Sequence, residues 1–342
     1  MSPAAPPRRY WSLVPVLPAP LVAEVARQAE AQGLAGLFAA QVYGPPWIPL
    51  AAAACSTTRL LLASGIAIAS ARSPFETAMA AIDMDRLSGG RFVLGLGASI
   101  LAWSRGTFGA PEHRPLAHLR ETVAAVRHIV RGAHRGLTPF EGRYYRADFA
   151  ELQPTPPPLR EEIPIWIAAL RGPAVRLAAE VADGVMGHPL WSLDLAVERV
   201  QPELRAGLGA AGRGREDVEL CLWFWCAPGD EEASAIQDAR PTIAFYAGMK
   251  QYESFFDAHG FGREARRLQE HVRSHDLLAY ASLVPDEMVR CFVLCGAPEK
   301  VQERVERAWS VADSLCLVPP FYALAPEKVA RYGAEIARLF YP

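Results

Sequence analysis

Lysine is nearly absent from this chain. Three of the 35 Lys and Arg residues are Lys, leaving 32 Arg, and 37 Asp and Glu bring the formal net charge to −2. With no basic surplus, nothing gathers nucleic acid or an anionic membrane surface. Arg grips phosphate and carboxylate through paired hydrogen bonds, so the Arg bias suits anion sites as well as a solvated surface. None of the six cysteines (Cys55, Cys221, Cys226, Cys291, Cys295, Cys316) forms a C-x-x-C pair. That excludes a thioredoxin-type motif and paired zinc ligands, and points to buried free thiols in a reducing compartment. The longest apolar runs are broken by Pro, Gly or charge well short of a membrane span. The Pro-rich segment Met1 to Tyr10 lacks the apolar core of a signal peptide. His113, His118, His128 and His134 fall in and around one helical pattern, but no H-E-x-x-H occurs, so no metal site is expected. A soluble cytoplasmic protein follows.

What is present is a chain of 342 residues, 51% hydrophobic, with short apolar strands alternating with helical patterns. Strands are expected at Trp11–Leu17, Leu34–Ala40, Leu60–Ala69, Arg91–Gly97, Ile163–Ala169, Gly184–Gly187, Val218–Cys226 and Ser314–Val318. Helices are expected at 20–32, 49–56, 74–87, 116–131, 173–182, 194–211, 298–309 and 326–339. Eight strands, mostly each followed by a helix, give an α/β fold, a (β/α)8 TIM barrel with insertions, in one domain over 1–342. Two excursions interrupt it. Residues 137–160 read as a hairpin, and residues 228–285 as helical and aromatic-rich. The rival is a doubly wound sheet, which needs a phosphate fingerprint. Gly95-Leu96-Gly97-Ala98-Ser99 begins one, but Ile100 stands where its third glycine belongs.

Several stretches resemble the bacterial luciferase-like superfamily, and more closely its branch that uses the deazaflavin coenzyme F420. They include Gln41-Val42-Tyr43-Gly44-Pro45-Pro46-Trp47, Arg72-Ser73-Pro74, Leu87-Ser88-Gly89-Gly90-Arg91-Phe92, Pro164-Ile165-Trp166-Ile167-Ala168-Ala169, Ala182-Asp183-Gly184 and Gly296-Ala297-Pro298-Glu299. The resemblance implies an oxidoreductase barrel, commonly a homodimer, with the cofactor ring across the C-terminal mouth. It also implies a non-proline cis peptide at the end of the third strand, here Gly65-Ile66 after Ser64, forming a bulge behind the ring. F420 is the expected cofactor, with FMN as the alternative.

Other residues are read beside that resemblance. Gly97, Ala98 and Ser99 close the fourth strand and leave room for a flat ring, or else pack tightly under the next helix. Ala168-Ala169-Leu170-Arg171-Gly172-Pro173 leads into a helix whose start can hold the phosphate of a cofactor tail, or is a plain loop with a solvated Arg. Relatives that oxidise sugar phosphates carry an Asp-His pair where this chain has Ala40-Gln41, and a Glu where Ala98 stands. Without that proton-transfer pair, alcohol oxidation is disfavoured. Gln41 can hydrogen-bond a carbonyl but cannot titrate. Reduction of an activated double bond or imine fits better, with the proton from water or Tyr43. His188, after the sixth strand, is a titratable candidate near neutral pH or a loop anchor. Trp47, Trp103, Trp191 and Trp223 line a flat-ligand pocket or pack the core. Two other functions stay open, an FMNH2- and O2-using monooxygenase and a non-catalytic flavin-binding barrel.

Overall fold

The computed structural model of the protein describes residues 8–271 and 277–342. The first seven residues of the Pro-rich N-terminal segment lie outside that range, as do residues 272–276 of the second excursion. Twelve strands are described. They are β1 (Tyr10–Leu13), β2 (Gly36–Ala39), β3 (Leu61–Ser64), β4 (Ala67–Ile68), β5 (Phe92–Gly97), β6 (Phe140–Glu141), β7 (Arg146–Ala147), β8 (Ile165–Ala168), β9 (Gly184–Met186), β10 (Glu219–Pro228), β11 (Val293–Gly296) and β12 (Ser314–Val318). Strands β1, β2, β3, β5, β8, β9, β10 and β12 with their intervening helices make the eight-stranded parallel (β/α)8 barrel expected from the sequence.

The chain forms two compact units, residues 1–187 with 199–221 and 342, and residues 188–198 with 222–341. In the first unit β1 pairs with β2, β2 with β3, β3 with β5, β5 with β8, β8 with β9, and β9 with Glu219–Cys221 of β10, all parallel. Its centre is aromatic. Trp11 stacks on Phe38 at 4.4 Å and meets Trp166 edge-on at 5.3 Å. Gly36 and Gly184 admit these rings, because a Cβ at either position would collide with Trp11 or Trp166. In the second unit β10 pairs with β11 from Trp225 to Pro228.

The helix Pro74–Ser88 shows how local sequence sets the frame. Ser73 caps it by accepting the Glu76 N–H, Pro74 suits its first turn, and Gly89 ends it in the left-handed region at φ 64°. Gly90 follows at φ 84°, and the chain turns directly into β5.

Several expectations need correction. The first strand stops at Leu13 rather than Leu17, because Pro15 and Pro18 have no N–H to donate and Val16 is 84% exposed. The run Leu60–Ala69 is two strands, β3 and β4, parted at Gly65-Ile66, whose peptide bond is cis as the resemblance implied. The helix expected from residue 194 becomes regular only at Val200–Ala211, after a wider turn at Leu195–Arg199. β11 and a short helix at Leu101–Gly106 were not foreseen. The first excursion holds the hairpin β6–β7, and the second holds the long helix Glu232–Ala247 with Pro241 inside it, followed by shorter helices. All six cysteines are free, and four are buried.

Candidate functional site

The ends of β2, β3 and β5 in the first unit are held by a small set of hydrogen bonds. Ser64 Oγ donates to Gly95 O at 2.8 Å and accepts from Gly95 N–H at 2.9 Å. Ser64 is fully buried, so this exchange satisfies polar groups that water cannot reach. Gly95 is required here, because a Cβ would fall on the Ser64 carbonyl oxygen. Beyond Ser64, Gly65 N–H donates to Ala39 O at 2.8 Å and Gln41 N–H donates to Ile66 O at 3.0 Å. The Ile66 side chain lies against Gly97, where a Cβ would displace it. Ala98 and Ser99 follow β5 half-buried, and Ser99 sits at φ 58°. The left-handed region costs a non-glycine residue about 1–2 kcal/mol, and such positions gather at ligand sites.

Gln41 is buried, and both donors that reach its Oε1 come from the segment after β3. Ile68 N–H donates to it at 2.9 Å and Arg72 Nη1 at 3.1 Å. Two donors on the oxygen fix the amide orientation, so the Gln41 NH2 is the group left to donate. Arg72 also pairs with Glu76 at 3.0 Å and lies 5.4 Å from the Trp47 ring. Burial lowers the Arg72 guanidinium below its ordinary range, and Glu76 opposes that shift. Arg72 stood in a family stretch of the sequence, but its partner lies 31 residues away and nothing local announced it. Tyr43 is 82% exposed.

Ala168 ends β8, and Ala169 N–H continues the ladder to Met186 O at 2.9 Å. Arg171 precedes the helix Gly172–Val181, and its carbonyl accepts from Ala174 and Val175 N–H. Pro173 has no N–H, so Gly172 N–H is the backbone donor left at this start. The Glu203 side chain lies against Gly172 and pairs with Arg176 at 3.1 Å.

His188 belongs to the second unit. Its Nδ1 accepts from Leu190 N–H at 3.2 Å, and its ring meets Tyr246 edge-on at 5.5 Å. Burial pushes it down to about 4. This corrects the expectation of a charge change near neutral pH. His188 is a neutral imidazole there, with its proton on Nε2. The structure therefore gathers Gln41, Ser64, Gly65, Ile66 and Gly97 around adjoining strand ends. Tyr43 is exposed, and Arg171 stands at a helix start.

Three buried donors of the first unit are left for an acceptor. Ser70 Oγ, Trp47 Nε1 and Trp103 Nε1 are buried donors without a hydrogen-bond partner among the described residues. They lie on the segments that follow β4, β2 and β5. Among the described residues no group of three His, Cys, Asp or Glu could hold a metal ion, and no helix is long and apolar enough to cross a membrane.

A family model described as luciferase-like monooxygenase matches residues 13–312. A Mycobacterium tuberculosis (strain ATCC 25618 / H37Rv) protein named "Putative coenzyme F420-dependent oxidoreductase" is 31% identical over 314 residues, covering 86% of this chain and 89% of its own. The 5,10-methylenetetrahydromethanopterin reductase of Archaeoglobus fulgidus is 28% identical over 260 residues, 74% of each chain. The solved coenzyme F420-dependent tetrahydromethanopterin reductase of Methanopyrus kandleri superposes with a TM-score of 0.81 at 21% identity, covering 97% of both chains. That last likeness shows the fold.

Proposed function

The chain belongs to the luciferase-like monooxygenase family and is an oxidoreductase, and from that premise we propose that it uses coenzyme F420 to reduce an activated double bond or imine of a small organic substrate. The observation that carries the reading is the extended identity to the relative named for F420, joined to strand ends that offer donors and no titrating pair.

When bound, the deazaflavin supplies the hydride, and the protein supplies placement. Ser64, Gly65 and Ile66 form the rest behind the ring, with Gly97, Ala98 and Ser99 beside it. Ala168 to Pro173 face the tail, where the Arg171 guanidinium and Gly172 N–H hold a phosphate oxygen. Gln41 donates its fixed NH2 to a carbonyl or imine nitrogen of the substrate and so polarises it. Tyr43, being exposed, delivers the proton or leaves that to water. His188 donates a hydrogen bond from Nε2 and stays uncharged at neutral pH. The reading includes a homodimer and a cytoplasmic location, on the strength of the resemblance and the six free thiols.

The family description also supports an FMNH2- and O2-using monooxygenase on the same barrel. Turnover separates the two. Reduced F420 with a panel of cyclic enones under argon is expected to be consumed in step with enone loss. Enone loss that needs O2 and FMNH2 contradicts the proposal.

A further inference from the structure

Four histidines fall in and around the helix Pro115–Gly132, and two of them meet at its start. The rings of His113 and His118, both in the first unit, lie 4.7 Å apart at 46°. Their five-residue spacing matches no metal motif, so nothing in the sequence announced the pair. Hydrogen bonds fix which nitrogen of each ring is free. His113 Nδ1 lies 2.8 Å from Pro111 O, which can only accept, so Nδ1 carries the proton and Nε2 the lone pair. Thr122 Oγ1 gives its proton to His118 O at 3.0 Å, which leaves it to accept from His118 Nδ1 at 3.5 Å. His118 Nε2 therefore holds a lone pair too. Neither Nε2 has a hydrogen-bond partner among the described residues, and neither is sealed from solvent.

These are the features of metal-binding imidazoles. A Nδ1–H held by a backbone carbonyl, as in His113, is the usual outer support of such a ring. Burial, and after it the neighbouring His113, lower the His118 imidazole below its ordinary range, with Glu121 opposing. A neutral ring keeps its lone pair available. Two imidazoles on one ion, with bonds of about 2.0–2.1 Å and an angle of about 90–109° between them, have ring centres about 4.5–5.2 Å apart. The observed separation falls inside that range. Tyr144 meets His118 edge-on at 5.6 Å, and its hydroxyl is buried without a partner among the described residues. A water on a bound ion supplies the acceptor that this hydroxyl lacks. Glu121 is not a ligand, because its carboxylate already accepts from the N–H groups of Arg143, Tyr144 and Tyr145 at 2.6–2.8 Å. That grip sets Tyr144 beside His118.

We propose that His113 and His118 bind one divalent transition ion of the Zn2+, Ni2+ or Cu2+ class through their Nε2 atoms, with water completing the shell. Two imidazoles without carboxylate or thiolate make a site distinct from the three-residue groups excluded above. Imidazole ligands suit these ions and pass over Mg2+, which takes oxygen. The claim does not depend on which redox cofactor the chain uses.

Calorimetric titration of the full-length, chelator-treated protein with Ni2+ tests it. One Ni2+ per chain is expected to bind at micromolar concentration, and Mg2+ not at all. His113→Ala and His118→Ala are each expected to weaken Ni2+ at least tenfold, and Tyr144→Phe about threefold. His271→Ala, at an exposed histidine of the second unit, is expected to leave it unchanged. The electron paramagnetic resonance spectrum of the wild-type Cu2+ complex needs no variant to fold, and is expected to show coupling to two imidazole nitrogens. No saturable Ni2+ uptake by the wild-type chain overturns the proposal. Uptake that both histidine variants leave intact, or a Cu2+ spectrum without two coupled nitrogens, does so as well.

Discussion

Ser64 and Gly95 exchange two hydrogen bonds through one hydroxyl, which ties β3 to β5 just before the Gly65-Ile66 break. Ser64→Ala strands a buried N–H and a buried carbonyl oxygen. A loss of about 1–3 kcal/mol is expected in urea unfolding. Gly95→Ala is expected to cost more, about 4 kcal/mol, because its Cβ meets backbone oxygen and no side chain can yield. Equal midpoints for Gly95→Ala and wild type would contradict this packing.

Arg72 fixes the amide of Gln41. Gln41→Glu keeps an oxygen for Ile68 and Arg72 but replaces the donor NH2 with an acceptor. A fall in kcat/KM of about tenfold is expected, matching loss of one hydrogen bond worth about 1.4 kcal/mol. Arg72→Lys removes the guanidinium fork and is expected to raise KM more than it lowers kcat, since Arg72 acts by positioning Gln41. Wild-type steady-state constants in both variants would remove Gln41 from the site.

The depressed imidazole of His188 gives the protein a pH signature. Its folded value, about 4, lies below the 6.5 of the unfolded chain. Between those values the unfolded chain binds more protons, so stability falls as pH drops from about 6.5 toward 4 and is retained above 6.5. From pH 7 to pH 5 the loss from this one group is on the order of 1–2 kcal/mol. His188→Gln is expected to lose that much less over the same interval. Parallel pH dependence of the two melting curves would contradict a depressed imidazole.

Asp85 is fully buried, and Arg160 holds it from the first excursion. Arg160 Nε donates to Oδ2 at 3.1 Å, and Nη2 also reaches Phe92 O at 2.7 Å. Arg160→Ala leaves a carboxylate without its counter-charge and is expected to cost about 3 kcal/mol. Limited proteolysis is expected to cut near residues 150–160 faster than in wild type. Unchanged cleavage there would show that the excursion is held by other contacts.

The fold was legible because its signals are local. Ser73-Pro74 starts a helix, Gly89-Gly90 ends it, and the short apolar run from there to Gly97, flanked by glycines, reads as a buried strand. β11 escaped because Val293 continues without a break from the helix Asp286–Phe292, and a four-residue apolar run carries no period of its own. The strand end at Gly65 was legible through the resemblance, whereas Ser64 was named without its partner Gly95. The depressed His188 was not legible, since the ring of Tyr246 comes from 58 residues further along the chain. The Arg72 bond to Gln41 was hidden for the same reason. Residue type at each position was readable, and the pairing that gives it chemistry was not.

The most direct measurement is a fluorescence-quenching titration of the purified protein with F420 and, separately, with FMN. Saturable quenching of F420 at micromolar concentration, with FMN at least tenfold weaker, is the predicted result. Micromolar FMN binding with no response to F420 would contradict the account.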